Sequence, residues 1–383
     1  MSVPVLGMVG AGQLARMTHQ ATIGLGIDLR VLSAKADDSA AVVVPGTTLG
    51  SWHSLDDLDA FASTCDVVTF DHELTDPAHL AALESKGHVL RPSAAAERFA
   101  QDKQYQRTTL GAAGFPVPHN RPVSSGDDVV AFGEEFGWPI VAKATRGGYD
   151  GRGVWVLDDA DEARRVATGA LAQGSELLVE EFVQMDREIA VAVARRPGGD
   201  QVQYAVTETV QVDGICTELV VPAQVPGALA QAAMDLAGKV VEHVDGTGIV
   251  AVELFVATDG RLLLNELALR PHNSVHWTIE GARTSQFQNH ARAVLDLPLG
   301  DASMTAAAVA TVNVLGPADG SDPRARLADA LAVDGVAVHL YGKDAVPGRK
   351  LGHVTAVGDT VQDVQARARE AARRLTHEEQ WHG

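Results

Sequence analysis

Gly248-Ile-Val-Ala-Val-Glu253-Leu-Phe-Val-Ala-Thr258, then Asp259-Gly260, then Arg261-Leu-Leu-Leu-Asn265-Glu266 is the stretch that decides the fold. The first segment reads as a strand, Asp259-Gly260 as a two-residue type I′ turn, and the last segment as the returning strand. With that turn Thr258 pairs with Arg261, and counting back sets Glu253 directly opposite Glu266. Side chains so paired have Cβ atoms roughly 5 Å apart, and like charges there destabilise a sheet. A divalent cation of the magnesium kind would neutralise them, because it takes one or two carboxylates plus substrate phosphate oxygens. A register slipped by one residue, or one proton shared by the pair, is the alternative.

Length and charge bound what surrounds this hairpin. A chain of 383 residues has room for two to four domains. Its net charge of −19 opposes nucleic acid and anionic membrane surfaces at long range. Small anionic substrates stay compatible, because salt screens charges beyond about 8 Å and a local basic cluster then decides. Cys65 and Cys216 are too far apart in sequence for a disulfide framework or a metal-ligand spacing. The start, Met1-Ser-Val-Pro-Val-Leu-Gly-Met-Val-Gly10, has no basic segment, and no apolar run reaches the ~18 residues of a membrane span. A soluble, cytoplasmic protein without nucleic-acid or membrane partners is expected.

Residues 3–9 form an apolar run that ends in Gly10-Ala-Gly12-Gln13-Leu14-Ala15, followed by a helical pattern to about Leu25 and a second apolar run over 28–33. This is the strand, glycine turn, helix, strand unit of a doubly wound sheet. It also matches a dinucleotide fingerprint, although Val31-Leu32-Ser33 lacks the acidic residue that would hold a ribose diol. A long helix is expected over 94–113, and Gly114-Phe-Pro-Val-Pro118 breaks it. Helices follow near 126–136 and 160–172, with strands at 138–143, to 157, and at 176–180. Longer strands at 188–195 and 203–212, a helix at 228–243, the hairpin, strands at 308–314 and 336–341, and a helix near 360–374 complete the pattern.

Several segments carry chemistry. Arg146-Gly-Gly148-Tyr149-Asp150-Gly-Arg152-Gly153 can lay backbone N–H groups and cations over a polyphosphate and close to exclude water; a flexible surface hairpin is the bland reading. Lys103 and Lys143 each offer a point charge, and the apolar run Leu177–Val183 offers backbone to an adenine while Glu188 reaches a ribose. Arg270-Pro-His272-Asn273-Ser-Val-His276-Trp277 suggests an anion subsite, since guanidinium matches a planar carboxylate or carbonate. Lys343, Arg349 and Lys350 suit a phosphate as well as they suit a solvated basic turn.

Taken in order, these segments resemble the ATP-grasp superfamily. The runs Gly-Gly-Tyr-Asp-Gly-Arg-Gly153, Asn265-Glu-Leu-Ala-Leu-Arg-Pro-His-Asn-Ser-Val-His-Trp-Thr278 and Gly348-Arg-Lys-Leu-Gly-His353 are similar to those of the 5-(carboxyamino)imidazole ribonucleotide synthetases of purine biosynthesis, over essentially the whole chain. The resemblance implies an α/β ATP-grasp fold with an N-terminal doubly wound parallel sheet and a small C-terminal domain. The implied units are 1–113, a lid over 114–184, a large subdomain with the metal site over 185–305, and 306–383. It implies carboxylation of 5-aminoimidazole ribonucleotide with bicarbonate and ATP through carboxyphosphate, by a homodimer. ATP would lie against Lys103, Lys143, Gly148, Glu180, Glu181, Phe182, Val183, Glu188, Asn265 and Glu266, and magnesium, or manganese, on Glu253 and Glu266. Tyr149, Asp150, Arg152, Arg270, His272 and Asn273 would act on the reacting groups, and Gln13, Leu14, Glu73, Lys343, Arg349 and Lys350 would hold the ribonucleotide. Asp71, Leu74, Leu269 and Val275 depart from the family pattern. The rival readings are an ATP-grasp enzyme with another acceptor, a silent nucleotide-binding regulator, and a dinucleotide oxidoreductase.

Overall fold

The structure, a computed structural model, describes residues 3–147 and 153–377. Three sheets organise it. β1 (Val5–Val9), β2 (Asp28–Ser33), β3 (Gly46–Leu49) and β4 (Val67–Phe70) form a parallel sheet in the order β3-β2-β1-β4. The order reverses between β1 and β4, so the loops after these two strands flank a crevice at the carboxyl edge, where open α/β sheets take ligands. Gly10, with φ of +101°, starts the first of these loops, and a Cβ there would meet Asp71 and His72 of the second.

β5 (Asn120–Val123), β6 (Ile140–Ala144), β7 (Val154–Leu157) and β8 (Leu177–Glu181) make a small antiparallel sheet in the order β5-β8-β6-β7, covered by the helices Gly126–Phe136 and Ala160–Ala172. The third sheet has nine strands: β9 (Met185–Arg195), β10 (Gln201–Gln203), β11 (Thr207–Val212), β12 (Ile215–Val221), β13 (Gly248–Ala257), β14 (Leu262–Ala268), β15 (Ala308–Leu315), β16 (Val336–Leu340) and β17 (Lys350–Gly358). Its order is β14-β13-β9-β11-β12-β15-β17-β16, with β10 beside β9. Residues 185–305 and 306–383 therefore contribute to one sheet, joined where β12 pairs with β15.

Four sequence expectations change. The long helix over 94–113 is two helices, Ala94–Gln101 and Lys103–Ala112, broken at Asp102. That residue is extended (φ −131°, ψ 100°), and its carboxylate caps the second helix through Tyr105 N and pairs with Arg146. The strand at 203–212 is split into β10 and β11. β3, β4, β5 and β12 were not expected, nor was β17, whose residues 351–356 are all buried, so no alternation marks it.

The fourth change is in the hairpin. Its turn has three residues, not two: Gly260 N donates to Ala257 O, Ala257 pairs with Arg261, and Thr258 N turns away to Gln184 O. Only Gly260 has positive φ, +86°, as in a type I turn ending in a left-handed glycine. That extra residue would set Glu253 opposite Asn265. A bulge between Leu254 and Glu253 absorbs it, so that Leu254 faces Leu264 while Glu253 faces Glu266. The carboxylates oppose each other as expected, by two irregularities that cancel.

Candidate active site

The cleft lies between the small sheet and the end of β13–β14, with the helix Lys103–Ala112 along one wall. Because Asp102 breaks the preceding helix, Lys103 starts a new one, and its Nζ lies 2.8 Å from Glu266 Oε1. One turn on, Arg107 is 2% exposed and makes three bonds: Nε to Glu180 Oε1 (2.6 Å), NH1 to Gln106 Oε1 (2.7 Å) and NH2 to Asn265 O (2.6 Å). Lys143 Nζ reaches the other oxygen of Glu180 at 2.7 Å. Burial alone would push the Glu180 carboxyl up, but Arg107 and Lys143 outweigh it and hold it at about 2. Burial lowers Lys143, against the pull of Glu180.

The opposite wall is unbalanced. Burial, then the charges of Glu188 and Glu266, raise Glu253 well above the ordinary carboxylate range. Burial likewise raises Glu188 to about 7, against a 3.2 Å hydrogen bond from Asn265 Nδ2 to its Oε1. Burial also acts to raise Glu266, but Lys103 keeps it low; 44% of its side chain stays open to the cleft, so water screens it as well. These carboxylates suit a divalent cation: three acidic groups with one lysine between them are short of positive charge. Among the described residues no group of three or more His, Cys, Asp or Glu is arranged to hold a metal alone. Two carboxylates completed by phosphate oxygens is the arrangement magnesium takes in nucleotide sites.

Glu253 also leads to the anion loop, with Oε1 3.7 Å from His272 Nδ1. His272 is held by Ser274 Oγ at 2.9 Å and by Gln286, which accepts from His272 N and donates to His272 O. Burial, then Arg270, lower His272 to about 3, so it is neutral at physiological pH. Arg270 Nε lies 2.7 Å from Glu73 Oε1 but out of line for a hydrogen bond, so the contact is an ion pair. Among the described residues the buried Asn273 Nδ2 has no hydrogen-bond partner, and it is a donor suited to a small anion. Leu269 and Val275, the two departures in this loop, are fully buried in apolar clusters and leave its polar lining unchanged.

In the crevice between β1 and β4, Gln13 is hydrogen-bonded to Lys343, which joins the first loop of the chain to its C-terminal segment. Asp71 caps the first helix, Oδ2 accepting from Gly12 N and Oδ1 from Ala15 N. Those are the donors a dinucleotide pyrophosphate would need, so the glycine fingerprint is already satisfied from within the chain. Leu14 is in the core, and Leu74 is exposed. Arg349 is exposed, whereas the charge of Lys350 acts on Glu253 and His272. In the connector, Glu181 bonds His119 N and Arg261, Phe182 is 39% exposed and Val183 is buried. Gly148, Tyr149, Asp150 and Arg152 lie outside the described residues.

Sequence reasoning missed Arg107, Gln286 and Glu97. Glu97 is 2% exposed beside the Glu73–Arg270 pair, and burial raises its carboxyl well above the usual range. The one signal for Arg107 is its spacing of four from Lys103, which puts both on one helix face.

A lid sheet and a large antiparallel sheet that close on a lysine-and-glutamate cleft define an ATP-grasp protein. Three family models match in succession: the ribonucleotide synthetase preATP-grasp domain over 3–101, the ATP-grasp domain over 108–287 and the phosphoribosylaminoimidazole carboxylase C-terminal domain over 309–367. The N5-carboxyaminoimidazole ribonucleotide synthase of Mycobacterium tuberculosis is 47% identical, covering 98% of this chain and 88% of that one. The one of Synechococcus elongatus is 37% identical over 91% and 88%. The Aspergillus clavatus enzyme in complex with ADP and 5-aminoimidazole ribonucleotide superposes with a TM-score of 0.88 at 31% identity, over 97% and 98% of the two chains. The chain belongs to the N5-carboxyaminoimidazole ribonucleotide synthase family.

Proposed function

We propose that this enzyme carboxylates the exocyclic amine of 5-aminoimidazole ribonucleotide with bicarbonate, using ATP and releasing ADP and phosphate, in purine biosynthesis. The observation that carries the reading is the continuity of the site: Glu253, paired with Glu266, is also 3.7 Å from His272 of the anion loop. Phosphoryl transfer and the capture of its product thus share one buried wall.

Bicarbonate attacks the γ-phosphorus of ATP, the bond to the β-phosphate oxygen breaks, and carboxyphosphate and ADP form. Lys143 and Lys103 offset charge on the phosphates, while the backbone of residues 181–183 receives the adenine. Glu253 and Glu266 would hold magnesium, which supplies charge neutralisation on the transferred group. Arg270, Asn273 and neutral His272 orient the bicarbonate and then the carboxyphosphate. The amine attacks the carboxyl carbon or the CO2 released from it, phosphate leaves, and the amine proton passes to a base. Asp150 is the proposed base, with Tyr149 and Arg152 closing over the reactants. Lys343, Arg349 and Gln13 take the ribonucleotide, with Glu73 near its amine. Closure excludes water from carboxyphosphate, which hydrolyses readily.

The chain divides into 1–113, 114–184, 185–305 and 306–383, the last two sharing one sheet across β12 and β15, and the assembly is a homodimer, which sedimentation would test. The decisive experiment is ADP release with ATP, magnesium and bicarbonate, with and without 5-aminoimidazole ribonucleotide. Strong stimulation together with bicarbonate-dependent carboxylated product supports the reading. No response to the ribonucleotide sinks the acceptor assignment.

A further inference from the structure

Arg107 is a fully enclosed guanidinium, and its partners come from different parts of the fold. Glu180 is near the end of β8 in the small sheet, whereas Asn265 is the extra residue of the bulge in β14. Enclosing a cation is costly unless its donors are matched by acceptors, and here Nε, NH1 and NH2 all are. The charges are more informative. Glu180 is 2% exposed and carries one negative charge between two cations, Arg107 at 2.6 Å and Lys143 at 2.7 Å. The trio carries a net charge of +1. Arg107 cannot face the cleft, since its three bonds fix it inward, while Lys143 continues the strand that leads to Arg146 and the glycine loop.

We propose that Arg107 is a positioning residue for the nucleotide: by neutralising Glu180 it leaves the charge of Lys143 for the phosphates, which a lone Lys143–Glu180 pair would consume internally. The inference rests on the assignment of Lys143 to ATP. It does not depend on which acceptor is carboxylated.

The test is calorimetric titration of the whole chain with ADP and magnesium, alongside KM values for ATP and the ribonucleotide. Arg107→Met weakens ADP binding and raises the KM for ATP by at least about tenfold, as the loss of one unit charge near a phosphate in a partly buried site requires, with the KM for the ribonucleotide within about twofold. Adding Glu180→Gln to that variant frees Lys143 and returns ADP affinity to within about threefold of the parent, and Arg107→Lys, which keeps the neutralising charge, does the same. A role in stability alone would give no rescue by removing a second buried group. Arg107→Met binding ADP as tightly as the parent, or the paired variant binding no better than Arg107→Met, overturns the proposal. If Arg107→Met does not fold, Arg107→Lys and the paired variant carry the test, and a tenfold loss in either overturns it. ADP binding is read without the acceptor, so a failure of the carboxylation reading shows separately, as turnover that ignores the ribonucleotide.

Discussion

Glu180 and Glu253 line the same cleft and are both enclosed by protein, yet one is held at about 2 and the other is pushed far up. Burial acts in the same direction on both. The difference is in the neighbours: Glu180 has Arg107 and Lys143 on its two oxygens, whereas Glu253 faces Glu188 and Glu266. One wall is electrostatically complete in the folded chain. The other sets three carboxylates against one lysine, an unfavourable balance that the proposed metal would relieve.

The comparison can be broken most severely at Glu266. Glu266→Ala removes half of the opposed pair, and ADP release falls at least about a thousandfold, ~4 kcal/mol of barrier, with an unchanged circular dichroism spectrum. Retained turnover would remove the metal assignment. On the complete wall the cost is to stability: Glu180→Ala strands Arg107 and Lys143 and lowers the unfolding free energy by about 3–5 kcal/mol, read by urea denaturation.

The incomplete wall gives the opposite sign. Glu188 has its folded pKa raised to about 7, so the folded state holds its proton more tightly than the unfolded state does. Stability contributed by that proton is present at acid pH and is lost as pH rises from about 4.3 through about 7. Glu188→Gln therefore stabilises the ligand-free protein by about 2–3 kcal/mol at pH 8 and by little at pH 4, while nucleotide binding weakens. A destabilised variant at pH 8 would show that the wall is not strained.

A buried histidine sharpens the contrast. His290 takes Ile249 N–H on Nδ1 and donates through Nε2 to Thr69 Oγ1, which ties the parallel sheet to β13. Burial lowers it to about 3, so its neutral form is favoured and stability falls as pH drops below the unfolded value of about 6.5. Each pH unit below that costs ~1.4 kcal/mol, and in His290→Gln this part of the acid slope disappears, measured by denaturation at pH 7 and 5. The smallest effect is at the turn far from either wall: Gly260→Ala forces φ of +86° on a residue with a Cβ and costs about 1 kcal/mol in thermal unfolding.

Two of the six Asp-Gly pairs of the chain explain how much of this was legible. Asp213-Gly214, with φ of +51° and +76°, makes the two-residue turn between β11 and β12 that the dipeptide favours, yet β12 went unread. Asp259-Gly260 received that reading and forms a three-residue turn, because the N–H of Thr258 is claimed by Gln184, a residue remote in sequence. Local patterns conveyed most of the strands, though not β3, β4, β5, β12 or β17, together with the glycine turn after β1 and the opposed carboxylates. Arg107 and Gln286 stayed hidden because their meaning comes from partners some 70 or 14 positions away, which no periodicity records. The loop Arg270–Trp277 could be singled out in the sequence because its polar residues are contiguous.

The β12–β15 junction has a consequence for how such an enzyme can change over generations. Four residue pairs, from Glu218 with Val312 to Val221 with Val309, stitch the nucleotide half to the strands that carry Lys350. The C-terminal segment is thus no cassette to be exchanged by recombination at the loop before β15, since a foreign replacement must reproduce both register and twist along that line. A change of acceptor is therefore expected to come from substitutions in the loops at the strand ends, which leave the β12–β15 pairing intact.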